Sequence, residues 1–170
     1  LYFMHGNRDF LIGKEFIKQI NATLLEPIKI IEIYDKKIIL THGDLLCTND
    51  NWYQIMRKVV HNKVIQKTFL CLPTNIRKKI AQKIRDGSKT ATSKKNISKF
   101  ETNHSPIKKI IKQNQAQILI HGHVHRTEVA YENSRENYIS ITIPDWTSNK
   151  GKHLLLCRNG EMSLELIYKL

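Results

Sequence analysis

The sequence predicts an α/β (α+β) fold with a basic helical insertion, and three observations support this prediction. Short β-rich runs alternate with segments in which apolar residues recur every three or four positions. Lysine and arginine are concentrated in the middle third of the chain. Three of the apolar runs lead directly into turns that contain both glycine and histidine.

The composition is typical of a folded protein from a reducing compartment. The chain has 170 residues, of which 41% are hydrophobic and 25% charged, with only 7 Gly and 4 Pro. This composition excludes a collagen-like, low-complexity or wholly disordered chain. A chain of this length buries roughly 70% of its unfolded surface, which allows a hydrophobic core. The three cysteines, Cys47, Cys71 and Cys157, are odd in number and far apart, which argues against a disulfide framework. No apolar run approaches the roughly 20 residues that span a bilayer.

Strand patterns begin at the first residues. Leu1 to Met4 are typical of a strand that enters a glycine-containing turn, without an initiating methionine or a lead-in, so we expect a missing N-terminal segment. Residues 28–34 and 37–41 predict a hairpin across Asp35 and Lys36.

Helices are predicted mainly in the middle of the chain. Apolar spacing predicts one helix over 52–72, ended by a proline, and a second over 75–86. The polar stretch 87–96 predicts a loop, and Ser105 followed by Pro106 predicts the start of a third helix. Further strands are predicted at 118–120, 129–132, 138–143, 154–157 and 164–168.

The positive charge lies in one segment. Residues 54–112 hold 16 of the 28 basic side chains but only two acidic ones, Asp86 and Glu101, so they carry +14 while the rest of the chain carries −1. We therefore predict a core made of 1–53 and 113–170, interrupted by a basic helical insertion, 54–112. Such a charge favours anionic partners, namely nucleic acid, phosphorylated metabolites or an acidic membrane, although a solvated lysine face is the alternative.

The three turns carry possible metal ligands. They are His5-Gly6-Asn7-Arg8-Asp9, His42-Gly43-Asp44 and His121-Gly122-His123-Val124-His125. At neighbouring strand ends they would bring imidazole nitrogens and amide oxygens together, donors that suit Mn²⁺, Zn²⁺ or Fe²⁺. His123 and His125, two apart in an extended segment, would face the same way. Each of the first two turns alone is more often ordinary turn chemistry, but three of them after strands indicate a metal site.

Together these motifs resemble the calcineurin-like metallophosphoesterase superfamily, whose five motifs at strand ends hold two metal ions around a bridging hydroxide. The last three motifs are present here. Their order and spacing, with Leu72-Pro73, Ser88-Lys89 and Ser93-Lys94-Lys95 between them, resemble more narrowly the lipid A pathway family that hydrolyses UDP-2,3-diacylglucosamine. The resemblance covers nearly the whole chain and implies a fragment of a four-layer αββα sandwich with a helical cap.

The resemblance also implies roles for individual residues. Asn7, His42 and His123 would bind the second of two divalent metal ions, expected to be Mn²⁺, and His125 the first. Arg8 replaces the histidine of most superfamily members, so its guanidinium would grip substrate phosphate rather than protonate a leaving group. No catalytic side chain is assigned beyond the metal-bound hydroxide.

The implied substrate-binding residues come from both predicted parts of the chain. At position 92 the family more often has asparagine, and His5 and His121 are candidates for outer hydrogen-bond donors to the ligands. The implied set is Asn7, Arg8, Asp50, Tyr53, Ser88, Thr92, Lys95 and His123.

One departure from the family concerns the front of the chain. The Asp-x-His and Gly-Asp motifs, which include the carboxylate that bridges the metals, are not in this sequence. The four remaining ligands are neutral, and they are too few to hold two cations. We therefore expect one metal site to be largely lost and this chain alone to be inactive.

The resemblance implies cleavage of UDP-2,3-diacylglucosamine to UMP and 2,3-diacylglucosamine 1-phosphate in lipid A biosynthesis. The protein would act in the cytoplasm, bound to the cytoplasmic face of the inner membrane of a Gram-negative bacterium. Lysines of the insertion would hold the anionic membrane surface, and apolar residues such as Ile55 and Phe69 would enclose acyl chains. No nucleic-acid partner is expected, and the oligomeric state is left open. The alternatives are a metallophosphoesterase with another phosphate substrate, and an inactive module that binds anions, nucleic acid or membranes.

Overall fold

The elements of the fold are short strands interspersed with helices. A computed structural model of the chain describes residues 1–48, 51–93, 104–123, 129–132, 138–143, 145, 150–156 and 161–168. The elements in chain order are β1 (Tyr2–Met4), α1 (Lys14–Gln19), β2 (Thr23–Leu25), β3 (Ile28–Ile33), β4 (Lys36–Thr41), α2 (Asn51–Val60), α3 (Lys63–Cys71), α4 (Thr74–Ser93), α5 (His104–Asn114), β5 (Ile118–His121), β6 (Val129–Glu132), β7 (Tyr138–Thr142), β8 (Lys150–Leu156) and β9 (Met162–Tyr168). The predicted α/β class is confirmed.

The main sheet has five strands in the order β3-β4-β5-β7-β6. Its three inner strands, β4, β5 and β7, are parallel, and the two edge strands pair antiparallel to them. Thr41 pairs with His121, and His121 pairs with Thr142. The inner strands therefore end level with one another, and the residues that follow them meet at one edge of the sheet.

The two faces of this sheet bury different partners. On one face Ile39 and Leu119, both 0% exposed, pack with Ile107 and Ile111 of α5. On the other face Ile38, Ile118 and Ile141 are buried, and the partly buried Leu154 of β8 packs against them. Continuous apolar runs such as Ile118 to Ile120 arise because a parallel inner strand is covered on both sides. The four-layer sandwich implied by the resemblance stays a prediction.

The hairpin predicted from residues 28–41 forms, with its turn one residue earlier than expected. Ile33 pairs with Lys36, which leaves Tyr34 and Asp35 at the turn. Both have positive φ, 51° and 59°. This is the conformation of a type I′ turn, whose twist matches that of the two strands.

The chain divides into two compact units, one formed by residues 1–46 with 102–170 and the other by residues 47–101. The second unit contains α2, α3 and α4. The predicted insertion, 54–112, extends further and includes most of α5, whose Ile107 and Ile111 are buried in the core of the first unit.

Two local predictions were wrong, and two short elements were missed. The helix expected over 52–72 is two helices, because the side chain of Asn62 caps the start of α3 by accepting from the backbone of Val64 and Ile65. The loop expected from residue 87 is helical up to Ser93, so Gly87 lies within α4. The short elements α1 and β2 were not predicted. Among the described residues, no helix has the length and apolar character needed to cross a bilayer.

Candidate metal and phosphate site

Two histidines from separate motifs lie together at the end of the inner strands. His42 directly follows β4, and His123 is the second residue after the end of β5. Their ring centroids are 5.2 Å apart, with an angle of 67° between the ring planes. The main chain joins the two turns as well, because Gly122 N–H donates to the carbonyl of His42 at 3.0 Å.

The first motif reaches the same place from a different sheet. The sequence predicted all three turns at neighbouring strand ends, but in the part of the chain that the structure describes β1 pairs with β2, in a separate two-stranded parallel sheet. Nevertheless, Gly6 packs directly on the imidazole of His42. Asn7, half-buried, follows Gly6, and Arg8 is exposed. The Asp9 carboxylate accepts from the Gly6 N–H and so closes this turn.

The backbone of the other two turns is tightly packed. Gly43 has a φ of +106°, and a β-carbon there would lie 2.7 Å from the carbonyl oxygen of Gly122. Only glycine satisfies both conditions. His123 has a φ of 70°, which corrects the expectation of an extended segment at this residue. The chain leaves the strand at Gly122, so an alternation of side-chain directions typical of a strand does not apply at His123.

His121 is the most buried histidine described near the site, with 2% exposure. Its Nδ1 donates to the carbonyl of Gly122 at 3.0 Å, and its Nε2 lies 3.3 Å from the hydroxyl of Thr142 in β7. Burial lowers the pKa of His121, and repulsion from His42 lowers it further. The hydrogen bond to Gly122 raises the pKa but does not cancel the effect of burial. Nothing in the sequence pointed to Thr142, since it lies in a strand outside every motif.

The other candidate outer donor, His5, has a local role. Its Nε2 lies 2.9 Å from the carbonyl oxygen of Ile12, and its ring packs edge-on against Phe3. These contacts tie the ends of the first loop together.

The remaining predicted site residues lie either in the second unit or outside the described residues. Tyr53 is half-buried in α2, and Ser88 and Thr92 lie on α4, all in the second unit. Asp50, Lys95 and His125 lie outside the described residues.

The donor set fits part of the shell of one divalent ion. Two imidazoles bound side by side to one divalent ion have ring centres about 5 Å apart, and the His42–His123 separation matches this. Among the described residues, no group of three or more His, Cys, Asp or Glu side chains is arranged to hold a metal. The described residues therefore fit one ion incompletely and do not fit two.

The chain is similar to several bacterial proteins of one name. It is 41% identical over 160 residues to a UDP-2,3-diacylglucosamine hydrolase of Haemophilus influenzae, which covers 94% of this chain and 66% of the relative. It is 44% identical to the proteins of that name from Shigella dysenteriae and Pectobacterium carotovorum, covering 75% and 81% of this chain. The chain spans 53% and 57% of the length of those two relatives.

Two further comparisons add little. No protein-family model matches the chain. A solved archaeal phosphodiesterase aligns over 98% of the chain with a TM-score of 0.47 and 14% identity, a likeness too low to assign a fold.

Proposed function

The chain belongs to the UDP-2,3-diacylglucosamine hydrolase family, and from this premise we propose that it contributes to cleavage of the pyrophosphate of UDP-2,3-diacylglucosamine. The products would be UMP and 2,3-diacylglucosamine 1-phosphate, an intermediate of lipid A biosynthesis. Because the chain spans less than two thirds of its relatives, we propose this activity for the chain together with the residues of the family that it does not match. The single observation that carries the proposal is the juxtaposition of His42 and His123.

These two imidazoles and the amide oxygen of Asn7 would hold one divalent ion, and the ring of His125 would be a ligand of the other. Imidazole and amide oxygen suit Mn²⁺, which we propose as the natural ion. A bound divalent ion polarises phosphoryl oxygens as a Lewis acid. The part of this chain would be to position the two rings, since Gly6 packs on the ring of His42 and Gly43 packs on the carbonyl oxygen of Gly122, the residue before His123.

Arg8 would bind the substrate's phosphates. Its side chain is exposed, on a turn that the carboxylate of Asp9 holds in shape through the Gly6 N–H. A guanidinium presents two parallel N–H groups to a phosphate, which sets its orientation as well as its charge. The roles of Asp50, Tyr53, Ser88, Thr92 and Lys95 in holding the nucleotide sugar stay predictions.

The second unit would contact an anionic membrane at the cytoplasmic face of the inner membrane. Large apolar side chains are exposed on its helices, among them Trp52 (66%), Ile55 (54%) and Val64 (71%). Exposed lysines such as Lys58 and Lys63 lie on α2 and α3, the helices that carry these apolar side chains. Each lysine near an anionic surface contributes about 1 kcal/mol. Co-sedimentation with phosphatidylglycerol vesicles but not with phosphatidylcholine vesicles would support this proposal, and equal binding to both would contradict it.

Hydrolysis is tested with a chimera. The residues of the Haemophilus influenzae relative that this chain does not match are joined to the chain in the order of the relative. We expect Mn²⁺-dependent release of UMP from UDP-2,3-diacylglucosamine by the chimera, and no release by the chain alone. H42A and H123A chimeras should lose activity.

The same assay separates the rival substrates. A chimera that cleaves a soluble nucleotide diphosphate such as ADP-ribose but not the diacylated sugar would leave a phosphoesterase of other specificity. A folded chimera that binds no Mn²⁺ and cleaves neither compound would leave the inactive binding module.

A further inference from the structure

Thr142 is linked to the proposed ligands through two other residues, His121 and Gly122. Thr142 is 8% exposed, and its hydroxyl lies 3.3 Å from Nε2 of His121. On the other side of the same ring, Nδ1 donates to the carbonyl of Gly122. The His121 ring thus links strand β7 to the turn that carries His123.

The main chain transmits this link towards both proposed ligands. Gly122 uses its N–H for the carbonyl of His42, and its own carbonyl oxygen is the atom that Gly43 packs against. The carbonyl of His121 accepts from Ile143 N–H at 2.7 Å, which keeps β5 and β7 in register up to the turn. The orientation of the Gly122 peptide therefore sets the position of the next residue, His123, whose backbone is left-handed.

We propose that Thr142 is a positioning residue, which acts through His121 and the Gly122 peptide to hold the ring of His123 against that of His42. The chemistry at each atom is consistent with this role. A carbonyl oxygen only accepts, so the Nδ1 of His121 must carry a proton, whereas a hydroxyl both donates and accepts and therefore matches Nε2. A valine of the same shape removes this partner and leaves a buried ring nitrogen unsatisfied.

The inference rests on the proposed function in one respect, that His123 binds a metal ion, and its first readout avoids that premise. Cross-relaxation between the ring protons of His42 and His123 is measured by NMR on the metal-free chain as it exists. We expect clear cross-peaks in the wild type and in Thr142→Ser, which keeps the hydroxyl. In Thr142→Val the cross-peaks should weaken severalfold, and the His121 Nδ1 proton should lose its protection from exchange.

The second readout is Mn²⁺ binding by calorimetry in the chimera described above. Loss of a hydrogen bond to a metal ligand typically weakens metal binding about 10-fold to 100-fold. Thr142 is one residue further from the ion, so we expect a measurable loss of up to about tenfold for Thr142→Val and little change for Thr142→Ser. Thr41→Val is the matched control. It removes another buried hydroxyl, bonded to the carbonyl of Pro27 at 2.9 Å, at the register-paired end of β4.

The outcomes are distinguishable. Unchanged cross-peaks in folded Thr142→Val would overturn the positioning role. So would cross-peaks that weaken in Thr41→Val or in Thr142→Ser as much as they do in Thr142→Val. If the wild-type chimera binds no Mn²⁺ or cleaves no substrate while the cross-peaks respond as expected, the proposed function fails and the positioning role stands.

Discussion

Gly6 lies so close to the imidazole of His42 that a β-carbon at position 6 would be 2.8 Å from Cε1 and 3.1 Å from Nδ1. Side-chain carbons do not approach a ring this closely, so any larger residue must displace the turn or the ring. Because glycine has no β-carbon, Gly6 allows the first motif to contact His42, which follows a strand of another sheet.

Gly6→Ala should destabilise the chain by about 1–3 kcal/mol, because overpacking at a buried contact forces a shift in its neighbours. It should also weaken Mn²⁺ binding by moving the ring of His42. Urea unfolding and calorimetry measure the two effects. Gly13→Ala is the control, since nothing lies within 4 Å of a β-carbon at that glycine. Equal effects at both positions would contradict the steric role of Gly6.

Leu119→Ala should cost about 2–5 kcal/mol of stability, the range for a cavity left by a large buried side chain. Leu119 of β5 is 0% exposed and packs with Ile107 and Ile111 of α5. Leu70→Ala, at a residue 48% exposed in α3, removes the same atoms and should cost under about 1 kcal/mol. Urea unfolding followed by circular dichroism measures both, and similar losses would show that the assigned core is wrong.

Tyr34→Asn should stabilise the β3–β4 hairpin by about 0.5–1 kcal/mol, because asparagine enters the left-handed region more readily than an aromatic residue. Tyr34 has a φ of 51°. The same substitution at Lys36, the first residue of β4, should give no gain. The shift of the urea midpoint decides between the two, and a loss of stability in Tyr34→Asn would contradict the turn geometry.

Asn62→Ala should remove about 0.5–2 kcal/mol from the second unit, the usual effect of losing a helix N-cap. The side-chain oxygen of Asn62 accepts from Val64 N–H at 2.9 Å and from Ile65 N–H at 3.3 Å. Asn62→Asp keeps the acceptor and should be near neutral. Hydrogen exchange at Val64 and Ile65 reports the cap directly, and unchanged protection in Asn62→Ala would contradict it.

The sequence predicted the parts of the fold that depend on long or repeated patterns. The hairpin 28–41 was found because its β-rich runs extend over several residues, and the helix that carries Ile107 and Ile111 was found because Ser105 and Pro106 mark its start. The break at Asn62 was missed because a single side-chain cap outweighed a continuous helical period. The six-residue α1 and three-residue β2 are too short to show a period at all.

The candidate site was partly predictable for a related reason. His42 and His123 stood in motifs, and the parallel register of β4 and β5 brings them together. The packing of Gly6 on His42, and the link from Thr142 to His121, depend on three-dimensional contacts between strands that no spacing along the chain reports.

The pairing of β4 with β5 has a consequence for the rate and cost of folding. These adjacent strands are separated by residues 42–117, so this central contact forms only after a long loop closes. Loop-closure entropy grows only with the logarithm of length, so the 47–101 unit adds about 1 kcal/mol to that closure. The penalty is chiefly kinetic, because distant pairings slow folding. Insertions between β4 and β5 should accordingly be free to change in length over evolution with little loss of equilibrium stability.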